Sequence, residues 1–209
     1  LAAACLLVGC ASNPDISADP APLSAEQVEG MRDDYPICPG GSPQVSMLPV
    51  ELKDLISDGF YLIYAEVSGE ETTVTRSLVD EANENMGAQE FDFFDIPLEI
   101  LYNPSGKFKT GQEVHLFDNT MFRDGLPALE EGDRFVTLVK DSASSHQELS
   151  DFPLVGTMEQ GFYYITDDGH AIAAYEEPEY FQQNGVGLAT LLENYEKIYE
   201  EMTAEQADP

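Results

Sequence analysis

The chain of 209 residues contains no tryptophan, three cysteines, and only 9 lysines and arginines against 40 aspartates and glutamates. The shortage of positive charge argues against two classes of partner. Nucleic-acid backbones are bound by neutralising phosphates with Lys and Arg, and anionic bilayers attract basic segments; a formal charge of −31 opposes both. Such a surface keeps a protein solvated and monomeric, and it leaves a basic partner or Ca²⁺ as the charge-complementary choices. The cysteines cannot build a disulfide framework. Cys5 lies inside an apolar leading run, Cys10 ends that run, and only Cys38 lies downstream. Cys38 sits in the Pro/Gly-rich stretch Tyr35-Pro36-Ile37-Cys38-Pro39-Gly40-Gly41, and the first histidine of the chain is His115. It reads as a spectator rather than an activated thiol. A bridge from Cys10 to Cys38 is open only if Cys10 carries no other modification.

Recognisable catalytic patterns are also missing. The chain has no G-x-S-x-G, H-E-x-x-H, Walker A, G-x-G-x-x-G or paired C-x-x-C motif, the signatures of common hydrolase, zinc, nucleotide and redox sites. The three histidines, His115, His146 and His170, are far apart, and Ser144 and Ser145 are too near His146 in sequence for a triad. Carboxylate pairs abound, among them Asp92 with Asp95, Asp118 with Asp124, Glu130 and Glu131 with Asp133, Asp167 with Asp168, and Glu176, Glu177 and Glu179. So many acids generate pairs by chance. An EF-hand loop is not met from Asp118 to Asp124, where Thr120 and Phe122 occupy the third and fifth positions. A weak Ca²⁺ site over 118–133 stays open, but no catalytic residue, metal ligand set or cofactor is assigned.

What the chain does have begins at its first residue. Leu1 to Gly9 reads LAAACLLVG and stops at Cys10-Ala11-Ser12-Asn13-Pro14-Asp15, where the composition turns polar. That is the apolar core and small-residue cleavage site of an export signal, without its basic leading part. The run is far short of the ~20 apolar residues that a transmembrane helix needs. Leu7-Val8-Gly9-Cys10 resembles the bacterial lipobox. The resemblance implies that the Cys10 thiol carries a diacylglyceryl group and that its new amine is acylated too, and two or three chains give stable anchoring. The expected partner is then the membrane, reached through lipid on Cys10, with the domain on a cell membrane or outer membrane facing away from the cytoplasm. Ala11 is not the aspartate that holds some lipoproteins at an inner membrane.

Residues 1–9 are thus expected to be a signal remnant, and 10–46 the lipidated cysteine followed by a flexible spacer. Six prolines between Ala11 and Gln44 predict a largely extended chain. A short helix from Ser24 to Met31 fits within it, because Ser24 and Gln27 have the spacing of a capping box.

Residues 47–202 are expected to form one β domain, followed by a tail over 203–209. Pro49 to Ile56 predicts a short amphipathic helix ended by Asp58-Gly59. Tyr61 to Val67 (YLIYAEV) reads as a buried strand and Thr72 to Val79 as its partner, with a loop from Asp80 to Glu90. Ile96 to Tyr102 alternates, and Pro97 argues for an edge or a strand start. Further strands are expected at Glu113 to Phe117, Arg134 to Lys140, Gly161 to Thr166 and His170 to Tyr175, the last two joined by the hairpin turn Asp167-Asp168-Gly169. A closing helix carries the stripe Leu188, Leu191, Leu192, Tyr195, Ile198, Tyr199 and Met202.

Short strands at about ten-residue spacing with helices only at the ends predict a small antiparallel OB-like barrel. The order of YLIYAEV, IPLEILYN, EVHLF, EEGDRFVTLVKD and GFYYI resembles extracytoplasmic OB-like domains of the TIMP/netrin type, most closely at Glu131-Gly132-Asp133-Arg134-Phe135. The metalloproteinase inhibitors of that superfamily use disulfides and a free N-terminal cysteine on zinc, both lacking here, so inhibition does not carry over. Phe91, Phe93, Phe94, Phe162, Tyr163 and Tyr164 are candidates to line a groove on the barrel, although core filling accounts for most aromatics of this kind. The function expected is a lipid-anchored, non-catalytic binding or interaction domain of the cell envelope. An envelope hydrolase with a carboxylate/histidine site and a Ca²⁺-dependent adhesion or assembly component are the alternatives.

Overall fold

A computed structural model describes residues 16–17, 19–38, 52–79, 88–119, 127–141, 154–157, 161–176 and 183–207. Cys5 and Cys10, residues 80–87 of the loop expected over 80–90, residues 120–126 of the proposed Ca²⁺ loop, Ser144, Ser145, His146, Glu177 and Glu179 lie outside the described residues. In chain order the elements are α1 Ala25–Glu29, α2 Leu52–Ser57, β1 Tyr61–Val67, β2 Thr72–Val79, β3 Ala88–Tyr102, β4 Glu113–Asn119, β5 Arg134–Asp141, β6 Leu154–Thr157, β7 Tyr163–Ile165, β8 Ala171–Ala173 and α3 Leu188–Ala207.

The eight strands form one sheet, antiparallel in every described pairing except β4 with β6. β1 is the element the others gather around. One edge pairs with β3, from Tyr64 opposite Tyr102 to Val67 opposite Leu98. The other edge pairs with β5 over Tyr61 to Glu66, opposite Val139 to Arg134. Its alternating side chains enter two hydrophobic clusters. Ile63, Ala65 and Val67 join Phe94, Ile96, Leu98, Ile100, Val114, Leu116 and Phe135. Leu62 and Tyr64 point the opposite way, toward Leu188, Leu191, Leu192 and Tyr195 of α3. A strand buried on both faces has no polar side to present, which is why YLIYAEV is nearly continuous in apolar and aromatic residues.

Local signals explain the ends of the elements. After α2 the amide of Phe60 donates to Leu55 O and that of Gly59 to Ile56 O. This is a Schellman stop, and it needs the left-handed Gly59, at φ 89°. Asn103, buried at the end of β3, donates to Leu62 O at 2.6 Å, while its Oδ1 accepts from Ser105 Oγ and from the amides of Lys107 and Phe108. One side chain therefore shapes the β3–β4 turn and fastens it to β1.

Three expectations are corrected. Pro97 is neither at an edge nor at a strand start but inside the fifteen-residue β3. β2 pairs with Ala88 to Asp95 and β1 with Leu98 to Tyr102, so Pro97 falls where one neighbour ends and the next begins, and no ladder bond is lost to its missing N–H. No strand is expected between Lys140 and Gly161, yet β6 lies there, and its Leu154 and Val155 pair with both β4 and β5. Four residues are too few to show an alternation.

The third correction concerns the spacer. The capped helix is present as α1, with Ser24 and Gln27 bonded reciprocally. Residues 19–38 are nevertheless not a free extended chain. Leu23 N donates to Gly185 O at 2.9 Å, Cys38 N to Ala174 O at 2.7 Å, and Arg32 to Ala173 O at 2.8 Å. Val28 is a buried member of the first cluster, and Leu23, Met31, Tyr35 and Cys38 rest on it. The scattered apolar residues of a Pro-rich segment are enough to bind it down as a strap once a receiving groove exists.

Leu191 is fully buried between α3 and the sheet. Replacing it with Ala should lower unfolding stability in urea by ~2–5 kcal/mol, the range for buried leucines whose site does not collapse.

Candidate functional site

The outer face of β3 and β4 brings together side chains that the sequence only scattered. In the β3–β4 register Asp95 lies opposite Phe117 and Pro97 opposite His115, so Asp95 and His115 are diagonal neighbours on one face. His115 Nδ1 is 2.7 Å from Asp95 Oδ1; the imidazole is 39% exposed and the carboxylate only 12%. A nearly buried acid thus orients a half-exposed ring. Directly beside them Phe93 and Phe117 stack with centroids 4.5 Å apart and planes 13° from parallel. Val74 of β2 and Phe91 cover this pair, which forms a third cluster apart from the two main cores. Strand alternation compels this grouping, because residues 91, 93 and 95 share a face and 115 and 117 lie opposite them.

A carboxylate-oriented imidazole can transfer a proton or support a metal ion through its second nitrogen. Among the described residues, however, no three or more His, Cys, Asp or Glu converge as a metal set. The pair was not singled out in sequence because its residues are separated by a turn and a change of strand. Only the register of β3 on β4 places them together.

The other candidate aromatics divide differently. Phe94 is buried in the first cluster with Phe162 and Tyr164, while Tyr163 lies in the second under α3. Phe162 stacks on Phe135 at 5.0 Å. These four fill the core, and of the six groove candidates only Phe91 and Phe93 reach the outer β3–β4 face.

His170 is 5% exposed at the β7–β8 turn and belongs to the strap's seat. Its Nε2 is 3.1 Å from Ala21 O and its Nδ1 3.0 Å from Asp168 Oδ1. Asp168 also accepts from the Thr166 hydroxyl, and that bond, followed by His170, holds its carboxyl below the usual value. Asp167 is fully exposed and takes Arg134 at 2.9 Å, and Asp133 Oδ2 accepts from Glu130 N at 2.7 Å within the turn before β5. Glu131 and Glu176 are exposed. Several sequence-flagged acids therefore have local structural duties, and those described are not gathered into a single site.

Cys38 lies half-buried against the first cluster, its Sγ 3.7 Å from Tyr164 Oη. Beside it, between α1 and the residues Tyr175, Glu176 and Asn184, is an open cleft of ≈ 510 Å³ also lined by Leu23, Val28, Glu29 and Arg32. No described helix is long and apolar enough to cross a membrane.

Buried phenols dominate the titration behaviour. Hydrogen bonding to Glu196 is the main cause that pushes Tyr102 up to about 12, and burial takes Tyr199 to about 12. Burial raises Tyr64 and Tyr164 as well. Groups raised above their unfolded value stabilise the fold fully below pH ~10 and lose that contribution as pH climbs toward the folded value. Stability should therefore fall progressively above pH ~10, and absorbance at the tyrosinate band should show these phenols ionising late, with unfolding. A native spectrum in which all tyrosines titrate near pH 10 contradicts this.

Comparison with family models, curated proteins and solved structures gave no significant match for this chain.

Proposed function

We propose that this protein is a lipid-anchored lipoprotein of the bacterial cell envelope whose OB-like barrel is a non-catalytic binding module, with the outer face of β3 and β4 as its contact surface. The observation that carries the binding surface is the half-exposed His115 held by Asp95, supported from within the sheet face by the buried Phe93–Phe117 stack. Support for the barrel comes from strand pairing. β1 pairs with β3, β3 with β4, β4 with β6, β6 with β5, and β5 returns to β1, with β4–β6 the parallel step. In that cycle β3 and β4 are the second and third strands, and OB folds bind through the face of their second and third strands. The acidity of the chain favours a basic partner, such as an envelope protein, and disfavours nucleic acid.

The anchor rests on Leu7-Val8-Gly9-Cys10 at the end of an apolar run. In the bacterial host, Cys10→Ala should abolish fatty-acid labelling and release the protein from the membrane fraction. Continued labelling of the variant removes the anchor from this reading.

The Asp95–His115 contact also favours a second reading, hydrolysis with His115 as general base. A screen of the purified protein on esters and phosphoesters distinguishes the two. Turnover that disappears in His115→Ala supports the enzyme, no turnover at all supports the binding module, and turnover that survives the substitution excludes His115 as the base.

A further inference from the structure

We infer that the strap biases which pole of the domain faces the bilayer: the end formed by the β7–β8 turn, the start of β5 and the N-terminus of α3 is held nearer the lipid surface on average, and the β3–β4 turn farther from it. The inference rests on the lipidated Cys10 of the proposed function and goes beyond it by assigning an orientation.

The strap is seated by close contacts that tolerate no side chain beneath it. Asp19 accepts from the Thr190 hydroxyl at 2.9 Å and sits at the N-terminal end of α3, where a carboxylate is favoured by the helix dipole. Pro20 and Asp19 lie over Gly187, and a Cβ there would meet Pro20 Cδ at 3.0 Å, Asp19 Cα at 3.1 Å and the Asp19 carboxylate closer still. Ala21 O meets His170 at 3.1 Å, and Leu23 crosses Gly185, whose left-handed φ of 84° and crowding by Val28 and Leu23 equally demand glycine.

Once Asp19 is fixed, about nine residues separate it from Cys10, and that length of chain spans at most ~30 Å. A flexible spacer running to residue 46 would reach several times farther and allow free tumbling. The attachment point is also at one end of the molecule. Arg134, which opens β5 opposite Glu66 near the end of β1, pairs with Asp167 in the β7–β8 turn. At the start of β1, Asn103 of the β3–β4 turn holds Leu62 O. The two poles are therefore separated by roughly the length of β1, ~20 Å for its seven residues. The near pole carries Glu130, Glu131, Asp133, Asp167 and Asp168, so a zwitterionic bilayer is the surface it can approach without charge repulsion.

The test uses the lipidated full chain in a Cys38→Ser background, labelled with a fluorescent donor at either Glu131→Cys or Lys109→Cys, on phosphatidylcholine vesicles carrying an acceptor lipid. Energy transfer from position 131 should exceed that from 109 several-fold. Flotation with vesicles but equal transfer, or greater transfer from 109, overturns the orientation while leaving the lipid anchor standing. Failure to float refutes the anchor and the orientation with it. Adding Gly187→Ala, with circular dichroism confirming that the sheet persists, should keep flotation and shrink the difference between positions; an unchanged difference overturns the strap's role.

Discussion

The structure depends on β1 being satisfied in four directions at once. Its backbone is paired along both edges, with β3 and β5, and its side chains are buried on both faces. Removing the peptide groups of one strand from water is favourable only if they are paired on both sides, and a strand that meets this condition becomes the common reference for its neighbours. The Asn103 turn, the start of β5 and α3 through the Tyr199 hydroxyl, which accepts from Leu62 N, all take their positions from it. The outer face of β3 and β4 inherits that rigidity, because β3 is held by β1 on one edge and β4 on the other.

A second constraint acts on the sequence before the domain. The loop at 183–187 is narrow where the strap crosses it, and Gly185 and Gly187 admit backbone where any larger residue would not. The strap in turn covers the first hydrophobic cluster with Val28 and its partly buried neighbours. With lipid on Cys10 as proposed, the spacing between bilayer and β domain would be set by where the strap is first held, rather than by the number of residues before the first long strand.

Much of this was legible in the sequence, and the reasons differ by element. The stripe on α3 and the run YLIYAEV were readable because a helix or strand with a strong burial pattern carries its own period. The α1 cap was readable because Ser24 and Gln27 form a local motif, and the hairpin around Gly169 because turn chemistry is local too. β6 was not, since four residues carry no periodicity, and Pro97 misled because its tolerance depends on where two other strands end. The Asp95–His115 pair and the docked strap were invisible for the same reason. Both are contacts between segments distant in sequence, set by register and by groove shape.

Residues 19–38 belong to the fold and are not a loose leash. Amide hydrogen exchange on the folded protein distinguishes the two, since exchange reads local opening at individual backbone groups. Leu23 and Cys38, bonded to Gly185 and Ala174, should exchange far more slowly than an unstructured chain, alongside Ala171 and Ala174 of the β8 segment. Exchange of Leu23 and Cys38 at the unprotected rate while β1 stays protected would contradict it.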